Sequence, residues 1–146
     1  MKTKYEYKDG ITTTTILYKG KKFIGEAKCH PDDKDLESSW TGSYISENRA
    51  IIKLFSHIRD NELRPHLEAL QQLYYSMSRS KYYDPESYEA KMLQRAIYRT
   101  RKSLQETKIS ITRLKEDLRD YIQTKEQWYT LIRKRRAGQD KITSSK

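Results

Sequence analysis

Residues 84–138 read DPESYEAKMLQRAIYRTRKSLQETKISITRLKEDLRDYIQTKEQWYTLIRKRRAG, and one pattern runs through them. Leu93, Ile97, Thr100, Leu104, Thr107, Ile111, Leu114, Leu118, Tyr121, Lys125, Trp128 and Ile132 follow one another by alternating steps of four and three. Kept over roughly six heptads, that spacing is the seam of a long helix packed in coiled-coil fashion. Asp84-Pro85-Glu86 marks its start: a capping carboxylate, a proline at the first helical position and an acid in the first turn. Arg133-Lys134-Arg135-Arg136 suits the last turn, where cations complement the helix dipole, and Gly138 suits the stop just past it. At 1.5 Å per residue the helix would run roughly 75 Å, so it needs something equally long to lie against.

The preceding sequence offers that partner. Ile51, Phe55, Ile58, Leu63, Leu67, Leu70, Tyr74 and Met77 form an apolar stripe that reaches about Arg79, with Thr41 or Ser43 as its cap. The step from Ile58 to Leu63 is too long for regular helix, and Pro65 follows it. A proline there removes a donor and clashes with the carbonyl of Asn61, which predicts a kink or break. The connector Arg79-Ser80-Lys81-Tyr82-Tyr83 is short, so the two helices are expected to fold back as an antiparallel hairpin. The second helix overhangs the first and would cover the N-terminal sheet or meet a second copy. Lys125 on the seam points to a register or oligomer-state role, and a homodimer is expected.

Residues 2–28 have the alternation and turn chemistry of three strands. Tyr5 and Tyr7 share a face, Asp9-Gly10 and Lys19-Gly20 are tight hairpin turns, and Gly25 suggests a bulge or a close backbone approach. Such a meander is too small to stand alone, so one face should dock on a helix. The expected class is α+β, mostly helical. Its parts are a β-meander head and polar loop (1–40), a long helical hairpin (41–138) and a disordered tail (139–146).

Apolar residues make up 35 % and charged residues 34 % of the 146, which suits elongated helices burying a stripe better than a large globular core. No window is long and apolar enough to span a membrane, and no apolar run follows the first lysines as a secretory signal would require. The single cysteine, Cys29, has no partner for an internal disulfide, which favours a reducing compartment. The net charge of +10 is one-sided: residues 85–146 hold 16 basic and 8 acidic side chains. That bias points to a polyanionic partner or an acidic protein surface. The plain alternative is a solvated helix with a basic last turn.

Catalytic and metal chemistry find little support. Cys29-His30-Pro31-Asp32-Asp33-Lys34-Asp35 gathers ligand-type residues, but zinc sites pair their ligands and no second pair exists here. His57 and His66 are nine residues apart and roughly opposite in helical phase. A turn in which the Asp side chains hydrogen-bond neighbouring backbone amides, with Cys29 buried as a small apolar residue, accounts for the loop better. Cys29 and His30 are adjacent and point opposite ways on an extended chain, which does not make a nucleophile and base. With no nucleophile elbow, phosphate-cradling glycine loop or H-E-x-x-H, the expectation is no enzyme, no metal and no cofactor.

Basic and aromatic residues together are more suggestive. Lys91, Arg95, Arg99 and Lys102, with Arg101 and Lys108 across the helix, read as cationic rows flanking the seam. Tyr74-Tyr75 and Tyr82-Tyr83 accompany Arg79 and Lys81. Positive side chains beside exposed rings can stack bases and hold phosphates, and they are equally enriched at protein interfaces. Tyrosines packed at the edge of a thin core, with wet hydroxyls, are the third reading. The candidate binding residues are Arg79, Lys81, Tyr82 and Tyr83 at the turn, and Arg133, Lys134, Arg135 and Arg136 at the helix end. No sequence-reading nucleic-acid motif is visible.

Gly25-Glu26-Ala27-Lys28-Cys29-His30-Pro31-Asp32-Asp33, followed by Glu47-Asn48-Arg49-Ala50, resembles a family of small proteins from phages and prophages of Gram-positive bacteria. His57-Ile58-Arg59-Asp60-Asn61-Glu62-Leu63-Arg64-Pro65 and Leu73-Tyr74-Tyr75-Ser76-Met77 are similar to the same family. The resemblance assigns no site residues. It implies an accessory phage product made in the bacterial host cytoplasm, and such proteins are often counter-defence factors. The expected function is a non-catalytic inhibitor of a nucleic-acid-handling host defence complex, such as a CRISPR effector. A direct, non-specific nucleic-acid binder and a sponge for an anionic signalling nucleotide are the alternatives.

Overall fold

The computed structural model describes residues 1–28 and 39–144. The Cys29–Asp35 loop lies outside them. Three strands, β1 (Lys2–Lys8), β2 (Ile11–Tyr18) and β3 (Lys21–Lys28), precede α1 (Ser39–Ile58), a π-helical turn (Arg59–Leu63), α2 (Arg64–Ser78) and α3 (Tyr88–Ser144). The class is therefore α+β and mostly helical. The chain divides into two compact units, Met1–Lys53 with Leu114–Lys146, and Leu54–Arg113.

In the first unit the strands form an antiparallel meander in the order β1-β2-β3. Both turns place two residues at positive φ, Asp9 (53°) with Gly10 (78°) and Lys19 (47°) with Gly20 (78°). That is the geometry whose twist matches a two-residue hairpin. Thr12, Thr14 and Ile16 of β2 are buried, and their cross-strand partners on β3 are Ala27, Gly25 and Phe23. This face is built of small residues because α1 lies almost on it, through Gly42, Ser46 and Ala50 at four-residue spacing. A Cβ on Gly25 would strike the Ser46 carbonyl oxygen and come within 2.5 Å of the Ala50 nitrogen, so the close approach expected there is real. A Cβ on Gly42 would meet the Thr12 hydroxyl.

The layer contact is sealed by a hydrogen bond rather than by large apolar side chains. Thr14 Oγ1 and Ser46 Oγ, both fully buried, are 2.6 Å apart. Ser46 donates to the Ser43 carbonyl oxygen at 3.2 Å, so Thr14 is the donor to Ser46. The helix begins at Ser39, upstream of both expected caps. Thr41 lies buried inside it and accepts a hydrogen bond from the Tyr121 hydroxyl at 3.2 Å.

In the second unit the irregular step before Pro65 is a π turn. The Arg64 N–H bonds the Arg59 carbonyl, five residues back, and Pro65 falls in the first turn of α2 where no donor is needed. Asp60 ties the turn together, accepting from Arg59 at 2.8 Å and pairing with Arg64 at 3.0 Å.

The start expected at Asp84 is corrected to Tyr88. Asp84 makes an Asx turn instead, accepting from the Glu86 N–H at 2.9 Å, while the Ser87 N–H bonds its carbonyl at 3.1 Å. The cap is Ser87, whose Oγ accepts from the Ala90 N–H at 3.2 Å. Along α3 the buried residues are Ala90, Leu93, Ile97, Thr100, Ile111 and Leu118, all but Ala90 members of the seam read from sequence. Thr100 and Thr107 turn their hydroxyls onto their own backbone, at 2.8 Å from the carbonyls of Ala96 and Ser103. The helix passes through Gly138 to Ser144, beyond the expected stop. Gly138 does not adopt the positive φ of a cap, and one glycine costs an exposed helix only about 1 kcal/mol.

Candidate functional site

The most coherent candidate surface is the face of α3 opposite its buried seam, within the second unit. A helix turns 100° per residue, so Lys91, Arg95, Tyr98, Arg99, Lys102 and Arg113 cluster opposite Leu93, Ile97 and Thr100. All six are exposed, and Glu106 is the single acid between Lys91 and Arg113. Lys91 pairs with Glu86 at 3.0 Å. Arg95, Arg99, Lys102 and Arg113 make no ion pair among the described residues. Cations four residues apart stand about 6 Å apart along the axis, close enough to meet successive phosphates of one strand. Tyr98, 67 % exposed, stands among them. The rows read as flanking the seam thus largely lie on its far side.

The connector contributes a second group in the same unit. Arg79 donates to the Tyr75 hydroxyl at 2.9 Å and lies 5.0 Å from its ring centroid. Lys81 is 5.1 Å from the centroid of Tyr82, a ring 83 % exposed. These are cation–aromatic pairs presented to solvent. Tyr83 differs: its ring meets Tyr74 edge-on at 6.5 Å, and the two hydroxyls are 3.4 Å apart. The hydrogen bond between the two hydroxyls holds Tyr83 above the ordinary tyrosine value and Tyr74 below it, the latter helped by Gln94 donating at 3.5 Å. Tyr83 therefore anchors the connector, and Arg79, Lys81 and Tyr82 are the members able to meet a partner.

Arg133, Lys134, Arg135 and Arg136 belong to the other unit. Because α3 continues past them, they do not form its last turn. Four consecutive helical residues also point around the whole girth rather than to one side. Arg133 is half-buried and donates to Thr130 Oγ1 at 3.4 Å.

Sequence reasoning overlooked an aromatic cluster in the first unit. Trp40 stacks on Tyr44 with centroids 5.4 Å apart and meets Tyr121 at 5.8 Å, while Tyr44 and Tyr121 are 4.4 Å apart. Lys125, the polar seam residue, lies 5.6 Å from the centroids of both Tyr121 and Trp128. The available signal was the four-residue spacing of Trp40 and Tyr44 and of Tyr121 and Lys125. A groove of about 690 Å³ lies nearby in sequence terms, lined by Ile24, Gly25, Glu26, Arg49, Ile52, Lys53 and Lys115. Two of its cations are committed: Arg49 donates to the Glu26 carbonyl and Lys53 to the Ile24 carbonyl, each at 2.6 Å.

Among the described residues no three metal-ligating side chains converge, and no helix is long and apolar enough to cross a membrane. No family model, curated protein or solved structure matches the chain.

Proposed function

We propose that this protein is a non-catalytic binding protein of phage type that disables a nucleic-acid-handling host defence complex, such as a CRISPR effector, in the bacterial cytoplasm. It does so by occupying a surface of that complex. The observation that supports this is the set of cations on the outer face of α3, Arg95, Arg99, Lys102 and Arg113, which make no ion pair among the described residues and are joined by exposed Tyr98. Exposed cations of this kind can meet phosphates or carboxylates of a partner, and an aromatic neighbour adds stacking area. In this reading α2 and the first part of α3 form an antiparallel, coiled-coil-like hairpin that keeps the basic face rigid. Preorganised side chains lose less entropy on binding. The phage assignment draws on the resemblance carried by the 25–33 and 47–50 motifs.

A second reading, direct and sequence-independent binding of nucleic acid, is favoured by the same exposed basic stripe. Capture of partners by tagged protein from host lysate, with and without nuclease, separates the two. A host protein retained after nuclease supports inhibition and names the target. A catch that vanishes with nuclease makes the protein a direct nucleic-acid binder. If neither is retained, thermal stabilisation by a panel of anionic nucleotides tests the sponge alternative.

A further inference from the structure

Two cations of α1 are held at the β3 edge by neutral acceptors. The Tyr18–Lys21 turn pair fixes which peptide groups bond inward, so the even-numbered residues of β3 turn theirs outward. Two of those outward carbonyls are taken: Lys53 Nζ donates to Ile24 and Arg49 Nη1 to Glu26, each at 2.6 Å. The Arg49 stem lies against Gly25, where a Cβ would come within 3.0 Å of its own. Carbonyls fix these side chains without neutralising them, as carboxylates would. A guanidinium has five N–H donors and an ammonium three, so each keeps donors beyond the one bonded to the sheet. The groove of about 690 Å³ beside this edge is lined by residues of the first unit alone. Lys115 of α3 lines it as a third cation, exposed and in no ion pair among the described residues. Glu26 is the one acid among its described lining residues. Ile24, 40 % exposed, and half-buried Ile52 give it an apolar wall.

We infer that this groove binds a small organic phosphate of nucleoside-monophosphate size. Arg49, Lys53 and Lys115 hold the phosphate, and the apolar body lies against Ile24 and Ile52. The size is that of a small-molecule site, and three cations against one carboxylate select an anion. The carbonyls that anchor Lys53 and Arg49 are two strand residues apart, about 7 Å, a span that one phosphate can bridge. Charge-assisted bonds to phosphate are the strong kind, and donors already held in place lose little freedom when the ligand arrives. The isoleucines reward a ligand with an apolar body over inorganic phosphate. This inference gives the anionic-nucleotide alternative a place in the fold and rests on that reading for the class of ligand. It is independent of the basic face of α3.

The test is isothermal titration calorimetry of the full chain with the common ribonucleoside 5′-monophosphates, their nucleosides, inorganic phosphate and a single-stranded oligothymidylate. Circular dichroism confirms the fold of each variant. At least one monophosphate should bind at one site per chain, more tightly than inorganic phosphate, and its nucleoside should not bind. Lys115→Gln leaves the bonds to the β3 carbonyls untouched, so it should weaken that monophosphate about tenfold at an unchanged melting temperature. Glu26→Gln removes the one facing negative charge and should tighten it. Lys21→Gln lowers the net charge equally outside the groove and should do neither. If no monophosphate binds, the inference and the nucleotide reading fall together. If one binds but is indifferent to Lys115→Gln and Glu26→Gln, the site falls and the nucleotide reading stands. An oligonucleotide that loses the same tenfold on Lys115→Gln would make a strand the source of the phosphate and overturn the small-ligand assignment.

Discussion

Gly25 shows how much of this fold rests on single small residues. Its position faces backbone atoms of α1, the Ser46 carbonyl and the Ala50 nitrogen, which cannot swing aside as a flexible side chain would. Gly25→Ala should therefore destabilise the first unit toward the upper end of the overpacking range of about 1–3 kcal/mol, seen as a lower denaturation midpoint. Gly42→Ala, whose new methyl meets the Thr12 side chain, should cost less. The buried hydroxyl pair gives a complementary test. Thr14→Val keeps the shape but removes the donor to Ser46, stranding a buried oxygen at a cost of about 1–3 kcal/mol. If Thr14→Val proves neutral and Gly25→Ala equals Gly42→Ala, the close docking of α1 on the sheet is wrong.

At the scale of elements, what was legible in the sequence was periodicity. The seam of α3 and the strands with their Asp9-Gly10 and Lys19-Gly20 turns follow from side-chain period and turn chemistry, which are local properties. The caps were misread because Asp84, Ser87, Thr41 and Ser43 are all competent capping residues, and only the surrounding backbone decides which one is used. The Trp40–Tyr44–Tyr121 cluster was illegible for another reason: it joins residues about eighty positions apart, and pattern reading has no access to such pairs.

The π turn was half legible, as a five-residue step before a proline, and it makes a prediction of its own. Proline in an unbroken helix costs about 3 kcal/mol against alanine. Here the π turn removes the clash, so Pro65→Ala should change stability by less than about 1 kcal/mol; a gain near 3 would mean the break is absent. Asp60 holds this turn with a carboxyl kept below its ordinary value of 3.8, chiefly by the hydrogen bond from Arg59. A depressed carboxyl contributes its stability above the unfolded value and loses it as pH falls through the folded one. Asp60→Asn should therefore erase a difference that is visible at neutral pH and fades below about pH 4, as read by thermal melts at several pH values.

For the whole molecule, the question is whether a net charge of +10 acts as a diffuse field or through one face. Any chain this basic attracts polyanions to some degree, so bare affinity for nucleic acid decides nothing. Location does. If the outer face of α3 makes the contact, reversing Arg95, Arg99 and Lys102 to glutamate should nearly abolish binding to a single-stranded oligonucleotide. Neutralising the same three residues to glutamine should lower the salt slope by about two, since each phosphate contact contributes about 0.7. The matched control neutralises Lys21, Lys22 and Lys28 on β3, which changes net charge equally and leaves α3 alone. Equal losses from both triple variants would mean that only the overall field matters and that the stripe is a solvated surface. A loss confined to the α3 variant would make Arg95, Arg99 and Lys102 the contact. The same variant, used as bait for host proteins after nuclease treatment, would then show whether that face meets protein carboxylates as well as phosphates.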